Sequence, residues 1–399
     1  NLKVIKFEIV LHEGKKMKVS QLRFENDAWS DTIVGNTIDC PDLVLCFGNK
    51  ELLVEHLCTN QLLHKFPKAL IVSSSTAGEI HNSAIYDNTA VATCIKFVKG
   101  SSVVGKKVNV LNFENSFDAG KALAQEFSQD NLRFLLIISD GQVVNGADLV
   151  LGIHSVIEPV IPVSGGLAGD GPHFSSTLVG LNDNIEKGNI VAVGFYGEDL
   201  QIGIGSKGGW GKFGPMRTIT KSEKNVLYEI DGENALDLYM KYLGDYSAQL
   251  PASALLFPLA ILEENEGTLG QKEIVRTILN VDTVEKSMTF AGNMPEGAKV
   301  RLMKANLDDL AAASSDAADL TGYTNDHSDD ALALLISCIG RKLIFGNRID
   351  EELEAAREIL GNDIIITGFY SYGEIAPFST YMKCELHNQT MTITTISEK

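Results

Sequence analysis

The chain has 399 residues, of which 44% are hydrophobic and 22% are charged, and its formal net charge is -18 at pH 7. This composition is that of a globular protein with a large core, and it is too apolar for a disordered chain. The acidic excess argues against nucleic-acid and anionic-membrane partners, because both require clustered Lys and Arg.

A pattern of strand, helix and second strand occurs three times along the chain. The first strands are apolar runs that end in glycine, at residues 43–48, 134–141 and 332–340. Each second strand ends in a glycine followed by an acidic residue, and the two glycines are separated by 30, 28 and 33 residues (48 to 78, 141 to 169 and 340 to 373). Such near-equal spacing predicts a repeated supersecondary unit.

Helix and strand signals complete each unit. In the third copy Ile349, Leu353, Ala356 and Leu360 recur at helical spacing, and Gly361 stands where a C-cap glycine belongs. Alternating strand-like segments follow the turns at 89–97, 190–196 and 390–396. The first two strands of each unit are expected to be parallel, with a right-handed crossover.

Residues 201–330 break the pattern. A turn-rich stretch at 208–215 precedes a helix over 231–244, alternating strands over 274–305 and a second helix over 307–320. We therefore predict an α/β protein with mixed sheets, built from repeated strand-helix-strand-hairpin units in two lobes, residues 1–200 and 201–399.

The closing segment resembles a known family. Residues 368–377, Gly-Phe-Tyr-Ser-Tyr-Gly-Glu-Ile-Ala-Pro, and the strand at 387–398 resemble the end of FIST C (F-box and intracellular signal transduction) domains, and the turns at 75–80 and 165–171 resemble those of FIST N. The resemblance covers roughly residues 30–398 and makes the two lobes FIST N and FIST C. It implies an intracellular sensory module that binds a small ligand such as an amino acid and signals to an output protein.

Hydroxyl and carboxyl side chains near the glycine turns are the first candidate ligand contacts. Ser73, Ser74, Ser75 and Thr76 end a strand, where open α/β sheets bind ligands, although they could instead cap the next element. Glu79, Asp170 and Glu374 follow the turn glycines and could bind a ligand ammonium group or hold the turn. Their repetition in all three units favours the structural role.

Other candidates come from the same strand ends and from aromatic or basic residues. Gly165 and Gly166 lie in a glycine-rich strand end that lacks the Gly-Lys-Ser/Thr ending of a phosphate loop. Arg341 could hold a carboxylate with its guanidinium or form a surface ion pair. The aromatic side chains of Trp210, Tyr370 and Tyr372 could line a pocket or pack in the core.

No motif indicates catalysis or a cofactor. G-x-S-x-G and metalloprotease histidine spacings are absent, and the six cysteines form no C-x-x-C pair, which fits a reducing, cytoplasmic compartment. We therefore expect no enzyme activity, no cofactor and no membrane span. Two alternatives stay open: a haem-binding nitric oxide sensor, since some family members bind haem and His173 and His387 lie near the turns, and a non-catalytic protein-binding scaffold.

Overall fold

The computed structural model describes residues 17–30, 34–35, 37–250, 252–264, 271–324, 331–377 and 383–399. The first unit contains β1 (Lys18–Glu25), β2 (Ala28–Trp29), β3 (Val34–Gly35), β4 (Leu43–Gly48), α1 (Lys50–Val54), α2 (Leu57–Lys65), β5 (Leu70–Ser75), β6 (Glu79–His81), β7 (Ala84–Tyr86) and β8 (Ala90–Lys96). The second contains β9 (Ser102–Asn109), α3 (Ser116–Gln125), β10 (Leu132–Ser139), α4 (Gly146–His154), β11 (Val163–Leu167), β12 (Val179–Leu181), β13 (Asn184–Glu186) and β14 (Asn189–Tyr196).

The third unit begins with β15 (Leu200–Lys207) and is interrupted by an insert, residues 211–304. The insert contains β16 (Gly211–Glu223), β17 (Val226–Ile230), β18 (Glu233–Asn234), α5 (Ala235–Leu243), β19 (Leu259–Glu264), β20 (Gln271–Arg276), β21 (Ile278–Asp282), β22 (Ser287–Phe290) and β23 (Lys299–Lys304). The unit resumes with α6 (Leu307–Leu320), β24 (Leu332–Cys338), α7 (Ile339–Phe345), α8 (Asp350–Leu360), β25 (Ile365–Ser371), β26 (Gly373–Pro377), β27 (Cys384–His387) and β28 (Met391–Glu398).

The helices begin and end where local chemistry requires. Asparagine side chains accept backbone N–H bonds at the starts of α1 and of α3 to α6, which satisfies donors that have no partner inside the helix. The helix predicted over 307–320 is α6, with the same bounds. Helix α8 ends at Leu360, and Gly361 follows with φ of 82°, as predicted.

Each unit places the same three strands side by side. The first and second strands are parallel in β4–β5, β10–β11 and β24–β25, and the last strand of each unit returns antiparallel to the first, as β8, β14 and β28. The first strands are apolar and almost entirely buried because both faces of each sheet are covered. The prediction of an α/β protein with mixed sheets is confirmed.

The three sheets are joined in a ring by exchanged hairpins. The hairpin β6–β7 of the first unit pairs with β25 of the third, β12–β13 of the second pairs with β5 of the first, and β26–β27 of the third pairs with β11 of the second. Strands from before and after residue 200 therefore share two sheets. The division into lobes 1–200 and 201–399 stays a prediction.

The insert forms a fourth sheet, in the order β20-β19-β23-β16-β17-β22-β21, with β18 paired to β17. Its main apolar cluster consists of insert residues only, whereas two large clusters of the ring combine residues from all three units. Among the described residues, no helix is both long and apolar enough to cross a membrane.

Candidate ligand-binding site

A cleft of about 460 Å³ opens where the three units meet. The first unit lines it with Asn49, Thr76, Ala77, Gly78, Glu79, Asp87 and Asn88, the second with Asp170, Gly171, Pro172 and His173, and the third with Ile339, Lys342, Leu343, Gly346 and Ile349. Part of this lining follows the carboxyl ends of the parallel strands, which is where open α/β sheets place ligands, whereas Asp87 and Asn88 follow the hairpin strand β7. The volume is in the range of small-molecule sites.

Lys342 lies on one wall of the cleft and connects two units. Its ammonium group donates to the Ala77 carbonyl at 2.9 Å, forms a salt bridge with Asp87, and lies 5.2 Å from the centroid of the Tyr370 ring. The Lys342 side chain is only 15% exposed, whereas that of Asp87 is 63% exposed. A small ligand can therefore reach Asp87 from the solvent and replace its contact with Lys342.

Glu79 holds the first glycine-acid turn. Its carboxyl accepts a hydrogen bond of 2.5 Å from the Thr76 hydroxyl and one of 3.0 Å from the Thr89 hydroxyl. Burial raises the pKa of Glu79 to about 7, although these hydroxyl bonds act in the opposite direction. A carboxyl with this pKa is partly protonated at neutral pH.

Glu374 holds the third turn in the same way. The Ser371 hydroxyl donates to it at 2.6 Å, and the backbone N–H and hydroxyl of Thr390 donate at 3.1 and 2.9 Å. Burial raises its pKa to about 8. The matching bonds at Glu79 and Glu374 favour the structural role for these two acids, and Glu374 lies outside the lining of the cleft.

Asp170 departs from this pattern. It accepts hydrogen bonds from the Tyr372 hydroxyl, from the backbone and hydroxyl of Ser175 at 3.1 and 2.7 Å, and from the Ser176 N–H at 3.0 Å, and it pairs with Lys50 at 3.3 Å. Burial raises its pKa, but the bonds from Tyr372 and Ser175 outweigh burial and lower it to about 2. Asp170 is thus a fixed negative charge at the cleft.

The strand hydroxyls divide between the core and the cleft. Ser73, Ser74 and Ser75 are buried in β5, where the Ser74 hydroxyl donates to the Ser75 carbonyl at 3.0 Å and the Ser75 hydroxyl accepts from the Leu178 N–H at 2.9 Å. Thr76, one residue beyond the strand, lines the cleft. The structure brings only the last of the four predicted hydroxyls to this site.

Gly165 and Gly166 lie inside the ring and do not line the cleft. A Cβ atom on Gly165 would lie 1.8 Å from the Ile137 carbonyl oxygen, and one on Gly166 would lie 2.7 Å from Ile336. Glycine is required here because neighbouring chains approach closely, which explains the motif without a ligand.

Arg341 is buried and bonded to protein groups. Its guanidinium donates to Glu352 at 2.5 Å, to the Gly208 carbonyl at 2.7 Å and to the Leu310 carbonyl at 2.8 Å. The ion pair is therefore internal, not at the surface, and all three guanidinium nitrogens have acceptors. A direct role in holding a ligand carboxylate gains no support from this geometry.

The predicted aromatic residues do not form one wall. Tyr370 is buried and its hydroxyl donates to Glu352 at 2.9 Å, while Tyr372 stacks on Phe174 with centroids 4.5 Å apart. The Trp210 indole N–H donates to the Gln389 carbonyl at 2.9 Å, at the start of the insert. Tyr370 contacts Lys342 and Tyr372 contacts Asp170, both charged residues that line the cleft, whereas Trp210 contacts neither.

Two histidines were candidate haem ligands. His173 lies on the cleft wall and is exposed. His387 is buried, with Nε2 3.0 Å from the Ala376 carbonyl oxygen, and does not line the cleft. Within the described part of the chain, no cluster of three or more His, Cys, Asp or Glu could hold a metal ion.

Sequence reasoning named Asp170 but missed the Lys342–Asp87 ion pair of the cleft. Lys342 and Asp87 are separated by more than 250 positions, so no local pattern joins them. One available signal was position, because Asn49 and Lys342 each follow closely the first strand of a unit, where side chains project from the sheet edge.

The FIST N domain profile matches residues 42–233, and the FIST C domain profile matches residues 235–377. Among curated proteins, none matches the chain. A solved structure of cyanuric acid hydrolase from A. caulinodans is similar over 90% of this chain and 90% of that chain, with 7% sequence identity and a TM-score of 0.33, a level that carries no conclusion about function. The chain belongs to the FIST family, whose domains are sensory modules of signal transduction.

Proposed function

We propose that this chain is a cytoplasmic, non-catalytic sensory protein whose cleft binds an amino acid or a similar small polar molecule. Ligand binding would be communicated to an output protein. Membership of the FIST family supports the sensory role, and the cleft supplies a place for the ligand.

The Lys342–Asp87 pair is the observation that carries the proposal. A zwitterion can insert into an exchangeable ion pair with no change in net charge: its carboxylate takes Lys342, and its ammonium group takes Asp87. Lys342 keeps its hydrogen bond to the Ala77 carbonyl during this exchange, so the Lys342 ammonium group stays in position. Because Lys342 is mostly shielded from water, its hydrogen bond to a carboxylate is stronger than a bond at the surface.

The remaining walls favour a small ligand with an apolar side chain. Ile339, Leu343 and Ile349 line the side contributed by the third unit, and Leu343 is 45% exposed. An aliphatic side chain of the ligand would cover these residues and remove apolar surface from water. The opposite walls are polar, which orients the ligand.

A thermal-shift screen of the protein against the twenty common amino acids tests this proposal. A ligand at about 100 times its dissociation constant should add about 2.7 kcal/mol to the free energy of unfolding. For a hit, we expect Lys342→Met to weaken affinity at least about tenfold by calorimetry, because a charged hydrogen bond is lost. Lys286→Met is the matched control, since it breaks an ion pair of 2.7 Å with Asp237 in the insert.

The Asp87→Asn variant tests the binding of the ligand's ammonium group separately from that of its carboxylate. The variant should lose affinity for the amino acid relative to the carboxylic acid that has the same side chain and no amino group, because Lys342 remains and the partner of the ammonium group is neutral. Equal affinity of the Lys342→Met variant and the wild type would overturn the proposed site. A Soret band that appears with haemin and is lost in a His173→Ala variant would identify haem, and not an amino acid, as the ligand.

A further inference from the structure

The two chain connections between the insert and the ring lie next to each other. Its entry segment passes through Gly208, Gly209 and Trp210, and its exit leads into α6 at Asn306. The two segments touch, because a Cβ atom on Gly209 would lie 2.4 Å from the Asp309 carbonyl oxygen, and Gly209 has φ of +73°. The chain therefore enters and leaves the insert side by side at this junction.

Arg341 holds both sides of the junction. Its Nη1 donates to the Gly208 carbonyl on the entry side, and its Nη2 donates to the Leu310 carbonyl on the exit side and lies 3.2 Å from the Ser314 hydroxyl. The side chain is 0% exposed. A buried, fully bonded guanidinium ties its partners together rigidly, since each bond that it loses leaves a buried polar group without a partner.

The same side chain is connected to the cleft through two other buried groups. Arg341 Nε bonds to Glu352 at 2.5 Å, Glu352 accepts from the Tyr370 hydroxyl at 2.9 Å, and the Tyr370 ring faces the Lys342 ammonium group at 5.2 Å. Ser337 also donates to Glu352, at 3.1 Å. Every link between the cleft lysine and the junction is thus a direct contact.

The insert also touches the ring away from this junction. The Arg276 guanidinium donates to the Leu386 carbonyl at 2.9 Å, and the amides of Asn145 and Asn293 lie 3.4 Å apart. These contacts contain no side chain that lines the cleft. They give the insert a surface to rest against, and helix α7, which carries Lys342, also lies close to the insert segment 252–256, whereas the Arg341 junction connects the insert to Lys342 through the bonds described above.

We infer that the insert, residues 211–304, is the output element of the sensor, and that the Lys342–Tyr370–Glu352–Arg341 chain couples its attachment to the state of the Lys342–Asp87 ion pair. The inference rests on the proposed function, because it takes this ion pair as the point where a ligand acts. Rearrangement of the pair shifts Lys342 against the Tyr370 ring, and the rigid network passes the shift to the junction. Tyr370, Glu352 and Arg341 are positioning residues and touch no ligand.

Hydrogen–deuterium exchange of the full chain, with no ligand added, tests the coupling. Asp87→Asn opens the ion pair, and we expect the backbone amides of residues 205–213 and 302–310 to exchange about threefold faster than in the wild type. In a Tyr370→Phe background, the same Asp87→Asn change should alter exchange in these segments by less than about 1.5-fold, since the bond from the Tyr370 hydroxyl to Glu352 is lost.

Tyr370→Phe removes one oxygen atom and leaves Glu352 with Arg341 and Ser337, so the variant is expected to fold. Glu352→Gln cuts the path one step further along and serves as the second variant. Tyr196→Phe is the control, because the Tyr196 hydroxyl makes one hydrogen bond, to the Ser128 carbonyl, in another unit.

The coupling is overturned if Asp87→Asn leaves exchange at the junction unchanged, or if it accelerates exchange equally in the wild-type, Tyr370→Phe and Glu352→Gln backgrounds. The measurement needs no ligand. A negative ligand screen beside a positive exchange result would therefore reject the proposed ligand and keep the coupling, while the reverse pair of results would reject the coupling alone.

Discussion

Two buried glutamates show how one residue type is used twice in the same role. Glu79 and Glu374 each close a glycine-acid turn, and each accepts hydroxyl bonds from a residue three positions earlier and from the threonine that immediately precedes the returning strand. Burial disfavours the charged form, so the pKa values rise to about 7 and about 8. The folded state is therefore more stable when these carboxyls are protonated, although the hydrogen bonds of the turns by themselves favour the charged form.

This has a defined consequence for stability. An unfolded glutamate has a pKa near 4.5, so the folded state binds more protons than the unfolded state between that pH and pH 8. The contribution of Glu374 is fully present below pH 4.5 and is lost as pH rises through 8. The free energy of unfolding of the wild type should fall as the pH rises, while the neutral Gln side chain makes no such loss. We therefore expect the difference between Glu374→Gln and the wild type to shift by on the order of 3 kcal/mol in favour of the variant from pH 5 to pH 9.

Urea unfolding of both proteins across that pH range measures the difference. Glu114→Gln, at an exposed position, is the control and should follow the wild type at every pH. A constant offset between Glu374→Gln and the wild type from pH 5 to pH 9 would show that the carboxyl has an ordinary pKa.

At the scale of the element, the parallel strand pairs are packed too closely for ordinary side chains at certain points. A Cβ atom on Gly165 of β11 would lie 1.8 Å from the Ile137 carbonyl of β10, and one on Gly368 of β25 would lie 1.8 Å from the Leu335 carbonyl of β24. The same close approach in two units identifies these glycines as structural. Their appearance in glycine-rich motifs therefore reflects strand packing.

Gly165→Ala should destabilise the protein by at least about 3 kcal/mol, because the methyl group collides with backbone that cannot move without breaking the sheet. Gly211→Ala is the matched control, since the nearest atom to its Cβ would be the Lys304 carbonyl oxygen at 3.4 Å. Chemical denaturation of both variants gives the comparison. Equal losses of stability in the two variants would contradict the packing argument.

At the scale of the molecule, the hairpin exchange makes each unit depend on the next. The β6–β7 hairpin pairs with β25, and β26 is a neighbour of β11. A chain cut near residue 200 would leave β11 with an unpaired edge and β6–β7 without its sheet. Exposed edges of this kind favour aggregation over folding.

We therefore expect residues 17–200, produced alone, to lack a cooperative unfolding transition. A chain in which a short Gly-Ser linker replaces residues 211–304 should keep one, because the main apolar cluster of the insert does not extend into the ring and the ends of the insert touch. Thermal melts followed by circular dichroism compare the two. A cooperative transition in residues 17–200 would show that the N-terminal lobe is an independent domain.

Much of the fold could be read from the sequence because it depends on neighbours along the chain. An alanine-rich composition predicts α6, the spacing of apolar residues predicts α8, Gly361 marks a helix end, and the three strand pairs follow from apolar runs closed by glycine. The family was recognised from a ten-residue motif and two turns, and both domain profiles match it. Local periodicity and turn chemistry carry this information directly.

The candidate site was decided by tertiary structure. Arg341 and Lys342 are adjacent in the sequence, yet the first is buried on Glu352 and the second faces the cleft and Asp87. Their surroundings come from segments up to 265 positions away, such as the Ala77 carbonyl, and no local pattern encodes such pairs. The sequence by itself determined the repeated units and their family, whereas only the closure of the ring decided which charges meet in the cleft, because that depends on which distant strands pair.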